Sequence, residues 1–136
     1  MTVHSPIAGA GIDPGIAASL EEFVALRHDL HRHPELAFRE TRTSAIVAER
    51  LASYGYEVMT GLAGTGVIGQ LRKGDGTRRL GLRADMDALP ITEQTQRPYA
   101  SETAGVMHAC GHDGHTAILL AAARRLAERD FSGTLN

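Results

Sequence analysis

Nine residues, His108-Ala109-Cys110-Gly111-His112-Asp113-Gly114-His115-Thr116, hold three histidines, an aspartate and the only cysteine of a 136-residue chain. Cys110 and His112 lie two apart with a glycine between them, so in an extended loop both side chains can converge on one ion. A thiolate with an imidazole favours borderline or softer divalent cations such as Zn²⁺, Co²⁺ or Ni²⁺ over Mg²⁺ or Ca²⁺. His112 and Asp113 also sit just before a predicted helix, whose N-terminal dipole favours a thiolate and other anions. His108 and His115 flank the pair as outer donors or substrate-binding groups. Each residue has a plainer use as well. A lone cysteine packs as a small apolar side chain, and Asp113 can simply cap the helix. A nucleophilic Cys110–His pair is a third use, disfavoured because neighbours at this spacing on a loop seldom hold base and thiol in line.

A second constellation, Arg83-Ala84-Asp85-Met86-Asp87-Ala88-Leu89-Pro90, follows a predicted strand. Open α/β sheets bind ligands beyond the carboxyl ends of their strands, which gives two carboxylates there a functional address. Asp85 and Asp87 would point the same way in extended chain and repel each other unless a cation intervenes, and Arg83 or a metal ion can supply it. A turn capped by aspartate and stopped by Pro90 uses the same residue types. A third group, Arg27-His28-Asp29-Leu30-His31-Arg32-His33-Pro34-Glu35, reads as a solvated helix face ended by proline.

The elements that must position these residues follow from periodicity and punctuation. Ser19-Leu20-Glu21-Glu22 has the form of a capping box, and Leu20, Phe23, Val24, Leu26 and Leu30 fall largely on one side of the helix after it. Pro34 stops that helix. A second helix is predicted over 41–54, with Ala45, Ile46, Val47, Leu51 and Tyr54 as its apolar stripe and Gly55 just past its end. Short strands are predicted over 57–60, 66–71 and 79–83, separated by the glycine-bearing turns 61–64 and 74–76. An Ala- and Leu-rich helix over about 114–129 comes next, broken at Ser132-Gly133, and a further strand begins there. Helices mixed with strands predict an α/β domain of layered helices and sheet. Residues 1–18, rich in small residues, are expected to form a flexible arm ahead of a domain over 19–136.

Composition restricts the function classes. The chain is 43% hydrophobic and 22% charged, which suits a globular protein rather than a disordered one. A net charge of −2 gives no electrostatic case for nucleic acid or an anionic membrane. No apolar run approaches the ~18 residues of a membrane span, and the N-terminus lacks the pattern of a signal peptide. One cysteine excludes an internal disulfide and fits a reducing compartment, so a cytoplasmic location is expected.

The segments RHDLHRHPELAFRE (27–40), RADMDALPITEQTQRPYAS (83–101) and MHACGHDGHTAILLAAARRL (107–126) resemble the M20 metallopeptidases. Within that family they look like the amidohydrolase branch, which contains hippurate hydrolases and N-acyl-amino-acid deacetylases. The resemblance runs from about Leu20 to Asn136 in the family's order and spacing. Arg83-Ala84-Asp85 stands where peptidase relatives have His-x-Asp, and arginine there with a later cysteine marks the amidohydrolase branch. The resemblance implies a zinc-peptidase-like catalytic domain with two divalent metal ions (Zn, Mn, Co or Ni) and a smaller lid domain inserted later in the chain. It matches Cys110 and His112 to two metal ligands and Asp85 to the active-site aspartate that supports the centre. Arg83, Asp87, Asp113 and His115 are then supporting or substrate-binding groups. The substrate it implies is an N-acyl amino acid, hydrolysed at its amide bond. The family's general-base glutamate falls in a Glu-Glu pair beyond the strand that begins at Gly133, and its further ligands and lid come later still. The chain is therefore expected to be the N-terminal portion of such an enzyme. The competing reading is a truncated chain that acts as a weak metal-binding or interaction module, with an open sheet edge that favours homo-oligomers.

Overall fold

The first helix, α1 (Pro14–Arg32), starts earlier than the Ser19–Glu22 capping box predicts. Its cap is Asp13, whose Oδ1 accepts from the Gly15 N–H at 2.8 Å and the Ile16 N–H at 3.3 Å. Pro14 fills the first helical position, where a missing N–H costs no hydrogen bond. Ser19 lies inside the helix and its hydroxyl bonds back to the Gly15 carbonyl at 3.0 Å. The computed structural model describes residues 11–136, so most of the arm expected over 1–18 lies outside the described residues, and residues 14–18 belong to α1. The buried face is Phe23, Leu26, Leu30 and His31, whereas Leu20 and Val24 remain exposed.

Residues 33–40, a loop that Glu35 organises, separate α1 from α2 (Thr41–Ser53). No side chain caps α2 from the adjacent Glu40. Instead the Glu35 carboxylate accepts the backbone N–H groups of Arg42 at 2.9 Å and Thr43 at 2.7 Å, together with the hydroxyls of Thr41 and Thr43. These are orphan donors of the helix start, and an anion there also meets the positive end of the helix dipole. Burial pushes the Glu35 carboxyl up, but the four hydrogen bonds outweigh it and hold the group below the ordinary glutamate range. Because its folded pKa is the lower one, its contribution is complete above the unfolded value of about 4.3 and fades as pH falls through the folded value. Glu35→Gln is expected to flatten that part of the acid unfolding curve, measured by circular dichroism between pH 6 and pH 2. At its other end α2 stops as predicted, with Tyr54 as cap and Gly55 at φ +89°, a left-handed conformation that favours glycine.

The sheet contains β1 (Glu57–Leu62), β2 (Gly66–Lys73), β3 (Arg79–Leu80) and β4 (Gly133–Leu135). β1 and β2 form an antiparallel hairpin with Glu57 opposite Gln70 and an irregularity between Thr60 and Leu62. The final strand inserts between the second and third, giving the order β1-β2-β4-β3. It runs antiparallel to β2 and parallel to β3. The third predicted strand is shorter than expected: only Arg79 and Leu80 are ladder residues, although the Leu82 N–H still reaches the Asn136 carbonyl at 2.8 Å. α3 (His112–Ala127) forms the crossover from β3 to β4, preceded by a long loop.

α1 packs along α3, and α2 packs against β1, β2 and α3. Phe23, Leu26 and Leu30 of α1 meet Ala117 and Leu120 of α3, with Ile46, Val47 and Leu51 of α2 and its cap Tyr54 against them. The α/β layering predicted from the element pattern is the observed fold. Among the described residues no helix is long and apolar enough to cross a membrane.

Candidate metal centre

The loop 81–111 carries Arg83, Asp85, Asp87, His108 and Cys110, and it is tied down at several points. The Ala88 N–H reaches the Glu35 carbonyl at 2.8 Å, and Leu89 and Met107 exchange two backbone hydrogen bonds at 2.9 and 3.0 Å. Pairing Leu89 with Met107 folds the loop back, which brings Asp85 and Asp87 to the start of α3. There the Thr116 hydroxyl reaches the Asp85 carbonyl at 3.3 Å. A cleft of about 1090 Å³ opens beside them, lined among others by Asp85, Asp87, His112, Thr116 and Asn136. The position beyond the end of β3 is the one expected for a ligand site in this kind of sheet.

His112 is the best-defined group of the centre. Its Nδ1 lies 2.9 Å from the Asp87 carbonyl and 3.0 Å from Asp87 Oδ1. Both are acceptors, so Nδ1 carries a proton, and in the neutral ring the lone pair is then on Nε2. A metal-binding histidine is commonly held this way, with a carboxylate or carbonyl fixing the tautomer from behind. Of the two cations the sequence offered to the aspartates, Arg83 pairs with Asp85 alone. Asp85 is exposed and pairs with Arg83 at 2.9 Å, while Asp87 is spent on His112. Asp87, rather than Asp85, therefore makes the contact that orients His112.

Cys110 is an exposed free thiol on the loop before α3, and His115 is exposed with its ring 5.5 Å from that of His112. Among the described residues no group of three or more His, Cys, Asp or Glu side chains closes around one point. A sulfur donor, a nitrogen donor with a fixed tautomer and nearby carboxylates suit a borderline divalent cation in kind. In number they form an open, partial set, since a closed zinc site takes four ligands.

Asp113 is not the cap of α3. That position belongs to Gly111 at φ +84°, with no side-chain cap bond, and Asp113 lies in the first turn. Its Oδ2 meets His31 Nδ1 at 2.9 Å and Arg27 Nε at 3.2 Å. Burial pushes the Asp113 carboxyl up, but the His31 hydrogen bond and the surrounding positive charge hold it below the usual carboxylate range. His31 in turn meets Glu93 Oε1 through Nε2 at 3.2 Å. The solvated face expected for the histidines of 27–35 is therefore wrong for His31, which is buried, while His28 stacks on Tyr99 at 3.8 Å and His33, the cap after α1, bonds back to the Asp29 carbonyl. A signal was present in the sequence. Phe23, Leu26, Leu30 and His31 stand at i, i+3, i+7 and i+8, the spacing of one buried helix face. Glu93 carried no such signal. His108 is also buried, with neither ring nitrogen partnered, and burial lowers its pKa first of all.

Residues 81–135 match the model of the peptidase family M20/M25/M40. The chain is 53% identical over 115 residues to a hippurate hydrolase of Campylobacter jejuni, across 85% of this chain and 30% of that protein. It is 47% identical to an N-acyl-L-amino acid amidohydrolase of Geobacillus stearothermophilus, across 76% of this chain and 28% of that one. A solved structure of the Bacillus subtilis YXEP protein, described as a dinuclear metal binding peptidase of the M20 family, superposes with a TM-score of 0.81 at 40% identity. That match covers 88% of this chain and 34% of the other. The chain thus spans about a third of the length of the relatives it matches, and it belongs to the peptidase family M20/M25/M40.

Proposed function

We propose that this chain is the metal-holding part of a metal-dependent amidohydrolase that cleaves the amide bond of N-acyl amino acids. The observation that carries the proposal is His112, locked with Nε2 free by the Asp87 carbonyl and carboxylate, two residues from the exposed thiol of Cys110. The hydrolase relatives named above support the substrate class. Cys110 and His112 are the proposed ligands, and the metal is Zn, Mn, Co or Ni. When bound, the metal supplies Lewis-acid polarisation of the acyl carbonyl and lowers the pKa of water.

The chain's own residues have distinct tasks. Cys110 gives up its proton on ligation, so binding weakens in acid. Asp87 holds the His112 ring and keeps the tautomer that leaves Nε2 unprotonated. Arg83, exposed and paired only with the exposed Asp85, is the guanidinium available to a substrate carboxylate. Asp85 keeps that guanidinium over the site. The general base and the remaining ligands are assigned to sequence outside this chain. The free thiol suits a reducing compartment, and the proposal places the enzyme in the cytoplasm.

The absence of a three-donor group among the described residues favours a second reading for the chain on its own, that of a weak metal-binding module. A cobalt titration tests both. With Co²⁺ the chain is expected to develop thiolate-to-cobalt charge-transfer absorption, which Cys110→Ala abolishes. Asp87→Ala is expected to weaken the affinity by about 10- to 100-fold, as loss of a partner behind a ligand does. Charge-transfer absorption that persists in Cys110→Ala, or an unchanged titration in His112→Ala, overturns the assignment.

A further inference from the structure

His31 joins segments that the sequence keeps 62 and 82 residues away from it, Glu93 on the loop and Asp113 on α3. The side chains of His31, Glu93 and Asp113 are 7%, 4% and 0% exposed. Glu93 is held by the Ser101 N–H at 2.6 Å and by the Thr95 hydroxyl. A ring with a carboxylate at each nitrogen and the edge of Tyr99 at 5.5 Å has little freedom to rotate. Apolar side chains would fill this space at lower desolvation cost, so packing alone does not account for three buried ionisable groups.

The first turn of α3 has a particular need for such a tie. Its cap is a glycine with no side-chain bond, so the turn that begins with His112 has backbone bonds to the Gly111 carbonyl but no side-chain cap to hold it. The tertiary bond from Asp113 to His31 supplies that fixation one residue away. The second tie, Arg27, is half exposed, where water and salt weaken an ion pair.

We propose that His31 is a positioning residue for His112. Through Asp113 it fixes the first turn of α3, and with it the ring whose Nε2 faces the proposed metal. The inference rests on the metal-site reading above, and one arm of its test is metal-free so that the two can fail separately.

Two substitutions divide the histidine by atom. In His31→Asn the amide lies at the distance of Nδ1, keeping a donor for Asp113 and dropping Glu93. In His31→Gln the amide lies at the distance of Nε2 and the reverse holds. In metal-free protein, at a pH well above the imidazole range, nitrogen-15 spectra of the rings report the His112 tautomer. The Nδ1-protonated form is expected to persist alone in the parent chain and in His31→Asn, and to average with the other tautomer in His31→Gln. With Co²⁺, His31→Gln is expected to bind about tenfold more weakly and His31→Asn to stay within about threefold. A packing role predicts the opposite order, because glutamine fills more of the ring's space and is the better helix former.

A His112 tautomer unchanged in His31→Gln, or lost as fully in His31→Asn as in His31→Gln, overturns the proposal. If His31→Gln is unfolded in buffer, the comparison is made in trimethylamine N-oxide, which favours the folded state. Failure of the parent chain to bind Co²⁺ overturns the metal-site reading, while the metal-free spectra still decide the role of His31.

Discussion

Replacing Asp113 with alanine is expected to destabilise the fold by about 3–5 kcal/mol, the range for breaking a buried ion pair from one side. The carboxylate is fully buried and accepts from His31 at 2.9 Å, so its removal leaves a buried ring nitrogen facing a void. The other end of that ring remains held against Glu93, which blocks relief by rotation. Arg27 adds little to the loss, since its guanidinium is half exposed and can return to water. Urea unfolding followed by circular dichroism measures the change. A loss below about 1 kcal/mol would place the Asp113–His31 contact among neutral surface pairs, against its burial. Asp113→Asn, which keeps an acceptor of the same shape, is expected to lose less than the alanine variant.

Leu30→Ala is expected to cost about 2–5 kcal/mol, towards the upper end of that range. Leu30 has 0% exposure and lies between Phe23, Leu26, Ala117 and Leu120, where α1 meets α3. Two long helices in contact close poorly around a lost isobutyl group, because shifting either would disturb the hydrogen-bonded Asp113–His31 bridge at their shared end. The same substitution at Ile118, on α3 but 69% exposed, serves as the control and should fall within about 0.5 kcal/mol. Equal losses at the two positions would show that the helices do not pack as described.

The centre and the core are therefore linked in one element. α3 presents Ala117 and Leu120 to α1 and holds His112 and Asp113 in its first turn. Destabilising the helix interface is expected to loosen the proposed ligand, so stability and cobalt affinity should fall together in core variants of α1. Variants on the exposed side of α3 should leave both unchanged.

Much of this was written locally in the chain. The extent of α2, its stop at Tyr54 and Gly55, the β1–β2 hairpin and the crossover helix all follow from period and turn chemistry, which act over a few residues. The reactive density of 108–116 was also plain, because unusual residue types at close spacing need no tertiary information. At the start of α1 two local signals compete, and the observed start is not the one expected at Ser19. Ser19-x-x-Glu22 and Asp13-Pro14 are both valid starts, and Asp13 wins with tertiary support from Arg125 Nη2 at 3.0 Å.

What only the tertiary structure decided is the pairing of groups that lie far apart in the chain. Sequence set Asp85 and Asp87 two residues apart without showing their partners, and the fold gave Arg83 to one and His112 to the other. It also placed β4 between β2 and β3, and turned His31 from a surface histidine into a buried bridge. The physical reason is the same in each case. Helix periods and turns are set by short-range sterics and hydrogen bonds, whereas a buried polar atom takes its partner from whichever segment packing brings within about 3 Å. By itself the sequence determined which chemical groups this protein has and the helices and strands that carry them, and the packing of α1, α3 and the loop between β3 and α3 decided which of them meet.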